Sequence, residues 1–291
     1  MRHAKIFAAE FIGTTLLVVV GFTALFNGSA STPIGLALSV GFTVVVISAI
    51  IGPVSEAHIN PAVTIGLAVM RKVDPDKVLT YLVAQFLGAL AGAYVAFAIT
   101  RGQDGGFSPS DSNFAVAGWE QFRGGYDWVS MAIAVVVLTG LVVLTYVAVI
   151  SRGQTRGGSS LAVGLAYAVA VYAGIGIVGV AVNPAVAFGT AVFAGGDAFE
   201  QVWLIMLFAV VGAVVGVLAF LAIDEASLED TMVGGSAMAR KARDLSSSGV
   251  HTAAGATAGA ARAVGDMADS VTEKVGEVTD SVKDRMAGDD D

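Results

Sequence analysis

Six stretches of this chain, at about 6–27, 33–52, 78–100, 129–150, 159–180 and 200–223, each run for some twenty mostly apolar residues. A helix needs about 20 such residues to cross the hydrocarbon core of a bilayer. Two further apolar stretches, 61–70 and 184–194, are about half that long, and both open with Asn-Pro-Ala. Backbone at membrane depth that does not cross is tolerated only against protein or a water-filled cavity. The expectation is an all-α membrane protein of six spans and two re-entrant half-helices. Composition agrees: 55% of residues are hydrophobic and 14% charged, against about 25% charged in a soluble domain. The solvent for such a surface is lipid.

Asn60-Pro61-Ala62 and Asn183-Pro184-Ala185 lie 123 residues apart. Asparagine is a good N-cap, and proline suits the first helical turn, where its missing N–H would be unpaired anyway. Other segments repeat with a similar spacing. Ala9–Leu16 resembles Val135–Leu141 in texture and place, and Gln85-Phe86-Leu87-Gly88-Ala89 is echoed by Ala209-Val210-Val211-Gly212-Ala213. Repeats of about 6–100 and 129–223 hold three spans each, so the second copy is inverted in the membrane. Two inverted half-helices then bring their N-termini toward one another. Each carries partial positive charge from unpaired N–H groups, and the Asn60 and Asn183 carboxamides would add donors to a polar lumen. Such a site repels cations and holds the oxygen of a passing water.

Basic residues set the expected orientation. Arg2 and Lys5 precede the first span, Arg71, Lys72 and Lys77 separate spans two and three, and Arg152 and Arg156 separate four and five. The opposite loop 101–128 has two arginines against four acids. Both termini are expected in the cytoplasm, the protein in the cell membrane, and the N-terminal apolar stretch retained as a span. There is no cysteine, and the three histidines are scattered, so no metal site is expected. No nucleophile–base constellation is visible, so neither an enzyme nor a cofactor is expected, and no nucleic-acid partner. Glu10 is the only charge within the first span, which is poor provision for ion-coupled transport.

Three segments carry a resemblance: Ala9-Glu10-Phe11-Ile12-Gly13-Thr14, Ser55-Glu56-Ala57-His58-Ile59-Asn60-Pro61-Ala62-Val63-Thr64, and Ala84-Gln85-Phe86-Leu87-Gly88-Ala89. Together with the paired Asn-Pro-Ala motifs they make residues 6–223 similar to the major intrinsic protein family, the aquaporins and glycerol facilitators. The resemblance implies a passive channel for water or small neutral solutes, assembled as a homotetramer in the lipid bilayer. It implies that Glu10 braces a re-entrant loop, with Gln85 buried nearby. His58 matches a family loop histidine, for which a structural and a pore-lining role stay equally open. Glu56 stands where the family usually has glycine, beside the cytoplasmic mouth.

The second half departs from the family. Water and glycerol channels carry an arginine three residues after the second Asn, and here that position is Val186. Counting without gaps, the other constriction positions fall on Val40, Val171 and Val180. The family's second buried glutamate falls on Val135. An all-valine constriction offers neither charge nor hydrogen bonds, and a narrow apolar neck closes by dewetting. A conduit for gas or a more apolar neutral solute is therefore the alternative within transport, and a non-conducting membrane scaffold the alternative outside it.

Residues 1–223 carry nine basic and ten acidic side chains, whereas 224–291 carry seven and fourteen. Residues 1–223 are the expected channel domain and 224–291 an acidic cytoplasmic tail. Disorder is the default expectation for such composition. Against it, Val264, Met267, Val271, Val275, Val278, Val282 and Met286 follow an eleven-residue repeat suited to a straight or right-handed supercoiled helix.

Overall fold

The computed structural model describes residues 2–26, 32–102, 108, 114, 117–120, 125–153 and 156–224, so the tail and its repeat lie outside the described residues. Among the described residues eight helices follow in order: α1 (Arg2–Phe26), α2 (Pro33–Ser55), α3 (Pro61–Val69), α4 (Pro75–Thr100), α5 (Trp128–Ser151), α6 (Arg156–Gly174), α7 (Pro184–Ala194) and α8 (Gly196–Ile223). Six are long and apolar enough to cross a membrane; α3 and α7 are the half-helices. Proline opens α2, α3, α4 and α7, each time where its missing N–H costs no helical hydrogen bond. Side-chain caps complete several starts: Thr32 accepts from Gly35 N at 3.1 Å, and Asp127 from Ser130 N at 2.7 Å. The Ser130 backbone N–H is the main reason the Asp127 carboxyl is held below its usual pKa.

The spans bury one face and expose apolar side chains on the other, among them Ile12, Phe42, Val46, Leu79, Ile133 and Trp203. Such surface would be an aggregation hazard in water and is the expected lipid-facing exterior. Inside, α1 packs on α4 and α2, α5 packs on α8 and α6, and α2 meets α6. The half-helices cross over: α3 from the first repeat packs against α5 and α8, while α7 from the second packs against α4.

The repeat is visible in matched close approaches of backbone to backbone. A Cβ on Gly88 would stand 2.6 Å from the Phe11 carbonyl oxygen, and one on Gly212 would stand 2.6 Å from that of Val136. Where the halves meet, a Cβ on Gly41 would be 2.7 Å from Gly164 O, and one on Gly164 would be 2.6 Å from Gly41 O. Helices in lipid associate by packing rather than by water exclusion, so small residues at their crossings let the backbones approach.

The largest boundary difference from the sequence reading is in the fifth span. The fifth span ends at Gly174 rather than at 180. Gly174 O accepts from Ile177 N, Val178 N and Gly179 N, and Gly179 takes φ +71°. Three glycines among residues 174–179 let an apolar segment turn instead of continuing as helix. Val180, expected near the end of a span, therefore sits in the loop that leads to α7.

Candidate transport pathway

Glu10 is fully buried in α1 and accepts four hydrogen bonds. Oε1 takes Ser55 Oγ at 2.6 Å and His58 N at 3.0 Å; Oε2 takes Ile59 N at 2.7 Å and Gln85 Nε2 at 2.8 Å. A carboxylate offers about four lone-pair sites, so the group is saturated. The bonds tie α1 to α4 and to the loop entering α3. Gln85 Nε2 also reaches Thr64 Oγ1 at 2.9 Å, and Thr64 Oγ1 lies 3.1 Å from His58 Nδ1. His58 is fully buried, stacks on Tyr81 at 4.2 Å between centroids, and meets Tyr146 edge-on at 5.9 Å. Tyr81 donates to Ser55 O at 2.9 Å, and Tyr146 donates to Glu56 O.

The brace holds a backbone that would not keep this shape alone. Glu56, Ala57 and Ile59 take φ values of 66°, 59° and 44°. Left-handed geometry is uncommon for any non-glycine residue and an outlier for a β-branched one. Such strain, of order 1–3 kcal/mol per residue, persists only where surrounding structure over-determines it.

The two asparagines close the half-helix starts reciprocally. Asn60 caps α3 by accepting from Ala62 N at 2.8 Å, and its Nδ2 donates to Val182 O at 2.9 Å and to Tyr167 Oη at 2.8 Å. Asn183 caps α7 by accepting from Ala185 N at 3.1 Å and Val186 N at 3.4 Å, and its Nδ2 donates to Ile59 O at 2.8 Å. Each amide thus bonds the residue just before the other half's Asn-Pro-Ala. Pro61 and Pro184 are the first residues of the two half-helices, with Ala62 and Ala185 fully buried behind them.

Val40, Val171, Val180 and Val186 are all no more than 3% exposed, and all belong to one buried apolar cluster that also contains Ala62, Ala185 and Tyr167. They come from α2, α6, the loop before α7, and α7 itself. Sequence reasoning named these four but missed Tyr167, although it lies one helical turn before Val171 and so on the same face of α6. The brace is completed by Ser55 and Thr64, which lie in the quoted motif without an assigned role, and by Tyr81 and Tyr146, which were not singled out. Their polar atoms are ordinary in a sequence and acquire meaning only from what surrounds them. Val135 is fully buried in a second, separate apolar cluster.

Residues 1–220 match the family described as major intrinsic protein. The chain belongs to that family. It is 34% identical over 215 residues to an Aquaporin Z of Photorhabdus laumondii, covering 72% of this chain and 93% of that protein. Among solved structures it is similar to the aquaglyceroporin of Plasmodium falciparum, with a TM-score of 0.64 and 27% identity, covering 74% of this chain and 94% of that one. Members of the major intrinsic protein family are membrane channels for water or small solutes. This chain is accordingly a multi-pass membrane channel and not an enzyme.

Proposed function

We propose that the chain is a passive channel for water and other small neutral solutes with an apolar neck formed by Val40, Val171, Val180 and Val186. What supports this reading is the chemistry of those positions: four valines at 0–3% exposure, all within the same apolar core as Ala62, Ala185 and Tyr167. Water in such a neck gives up hydrogen bonds that valine cannot replace, and a narrow apolar constriction gates by dewetting. Without an arginine at position 186, cation exclusion falls to the positive ends of α3 and α7 and to the Asn183 amide. Glu10, Gln85 and His58 act at one remove, by fixing the loop that presents Asn60. The lack of any polar group on these four valines favours a second reading, a conduit for gas or a more apolar neutral solute.

In the same proposal residues 1–223 form the channel, the acidic segment 224–291 is a cytoplasmic tail, and the channel assembles as a homotetramer. Both termini face the cytoplasm of a cell membrane, supported by the bias of Arg2, Lys5, Arg71, Lys72, Lys77, Arg152 and Arg156 to one side. The test is Val186→Arg in proteoliposomes of known protein density. A guanidinium narrows the neck, and protein-dependent glycerol flux should fall by about tenfold, as about 1.4 kcal/mol on the barrier would produce. Unchanged glycerol flux would remove Val186 from the constriction.

A further inference from the structure

Tyr167 is the largest fully buried side chain among the described residues, at 1% exposure. It stands on α6 one turn before Val171, so both project from one face of that helix. Its ring is held at the level of the paired Asn-Pro-Ala motifs, because its hydroxyl oxygen accepts from Asn60 Nδ2 at 2.8 Å. That bond changes what the site offers a solute. A carboxamide has two N–H donors, and Asn60 uses one on Val182 O and the other on Tyr167. Asn183 uses one of its two on Ile59 O. Its second N–H and the Tyr167 O–H engage no acceptor among the described residues.

We infer that Tyr167 is a specificity-determining residue of this channel, filling the passage beside Asn60 and replacing the Asn60 amide as the donor a solute meets. The inference rests on the channel reading above and deepens it. On this inference passage requires the ring to swing aside and its bond to Asn60 to break. The solute class that can do this is small and uncharged and carries an oxygen acceptor, as water, polyols and urea do. Such an oxygen can take the tyrosine O–H and the free Asn183 N–H in place of bulk water. A cation finds two donors and is excluded.

Two substitutions separate width from hydrogen bonding. Tyr167→Phe keeps the ring and returns one Asn60 N–H to the passage; Tyr167→Leu removes the ring. Water and glycerol permeability of both variants and of the unaltered protein would be measured by stopped-flow light scattering in liposomes of known protein density. Tyr167→Phe should raise both fluxes by about two- to tenfold, the effect of one hydrogen bond no longer broken on opening. Tyr167→Leu should raise glycerol flux more than water flux, increasing the glycerol-to-water ratio, which a purely structural role would leave unmoved. If the unaltered protein conducts and both variants match it within about twofold, Tyr167 is core packing and the inference is overturned. If none of the three conducts, the channel reading falls and the Tyr167 role falls with it.

Discussion

The two re-entrant loops solve the same problem with opposite chemistry. In the first half, Glu10, Ser55, His58, Thr64 and Gln85 form one buried polar network around the loop that enters α3. In the second half, Val178, Ala181 and Ala187 lie as far beyond Ser55, His58 and Thr64 as Asn183 lies beyond Asn60. The matched approaches of Gly88 to Phe11 and of Gly212 to Val136 pair Glu10 with Val135 and Gln85 with Ala209. All five counterparts are apolar, and all five pack in one buried cluster. The loop before α7 is held instead by its own turn on Gly174 O and by Gly118 N donating to Val178 O at 3.3 Å. A carboxylate brace is thus not required by the fold. It is needed where the loop backbone is strained. Ser55-Glu56-Ala57-His58-Ile59 includes three non-glycine residues at positive φ, whereas the counterpart of Glu56 is Gly179, at φ +71°.

That contrast can be broken most forcefully at Glu10. Glu10→Ala leaves two loop N–H groups, the Ser55 hydroxyl and the Gln85 amide without their acceptor, each at about 1–3 kcal/mol if unreplaced. The expected loss of stability is about 3–5 kcal/mol, measured by titrated unfolding in mixed micelles. Val135→Ala at the paired position removes only packing, and the expected loss is about 1–2 kcal/mol. Equal losses at the two sites would mean that the polar network contributes no more than the apolar cluster opposite it.

A smaller effect, of opposite sign, is expected at Glu56. Its side chain is more than half exposed, while its backbone sits at φ 66° and ψ −2° as the C-cap of α2. Left-handed geometry costs a non-glycine residue about 1–2 kcal/mol. Glu56→Gly should therefore stabilise the protein by about 0.5–1 kcal/mol, making the first loop resemble the second at this point. A loss of stability would show that contacts of the carboxylate outweigh the strain, among them its approach to His58 Nε2 at 3.8 Å.

The sequence made the membrane plan legible because a bilayer imposes length and apolarity directly on each span, and because Pro61 and Pro184 mark helix starts in stretches too short to cross. Glu10 stood out as a lone charge among apolar residues. The end of α6 did not, since Ile175, Ile177 and Val178 look like a continuing span and only the intervening glycines permit the turn. The crossing of α3 onto α8 and of α7 onto α4 is tertiary and leaves no periodic trace. Tyr167 was hidden for a related reason. Its importance depends on which face of α6 meets Asn60, a residue more than 100 positions away in the chain.

The central claim is the proposed all-valine constriction and what it passes, and the most direct test is the unit permeability of the unaltered protein. Purified protein would be reconstituted at measured density and challenged with an osmotic jump of sucrose and then of glycerol. The account predicts protein-dependent flux with low water permeability per channel and weak discrimination between water and glycerol. Fast water passage with glycerol excluded would contradict it, since other residues would then form the filter. Flux equal to that of protein-free liposomes for both solutes would contradict it from the other side, leaving a membrane scaffold.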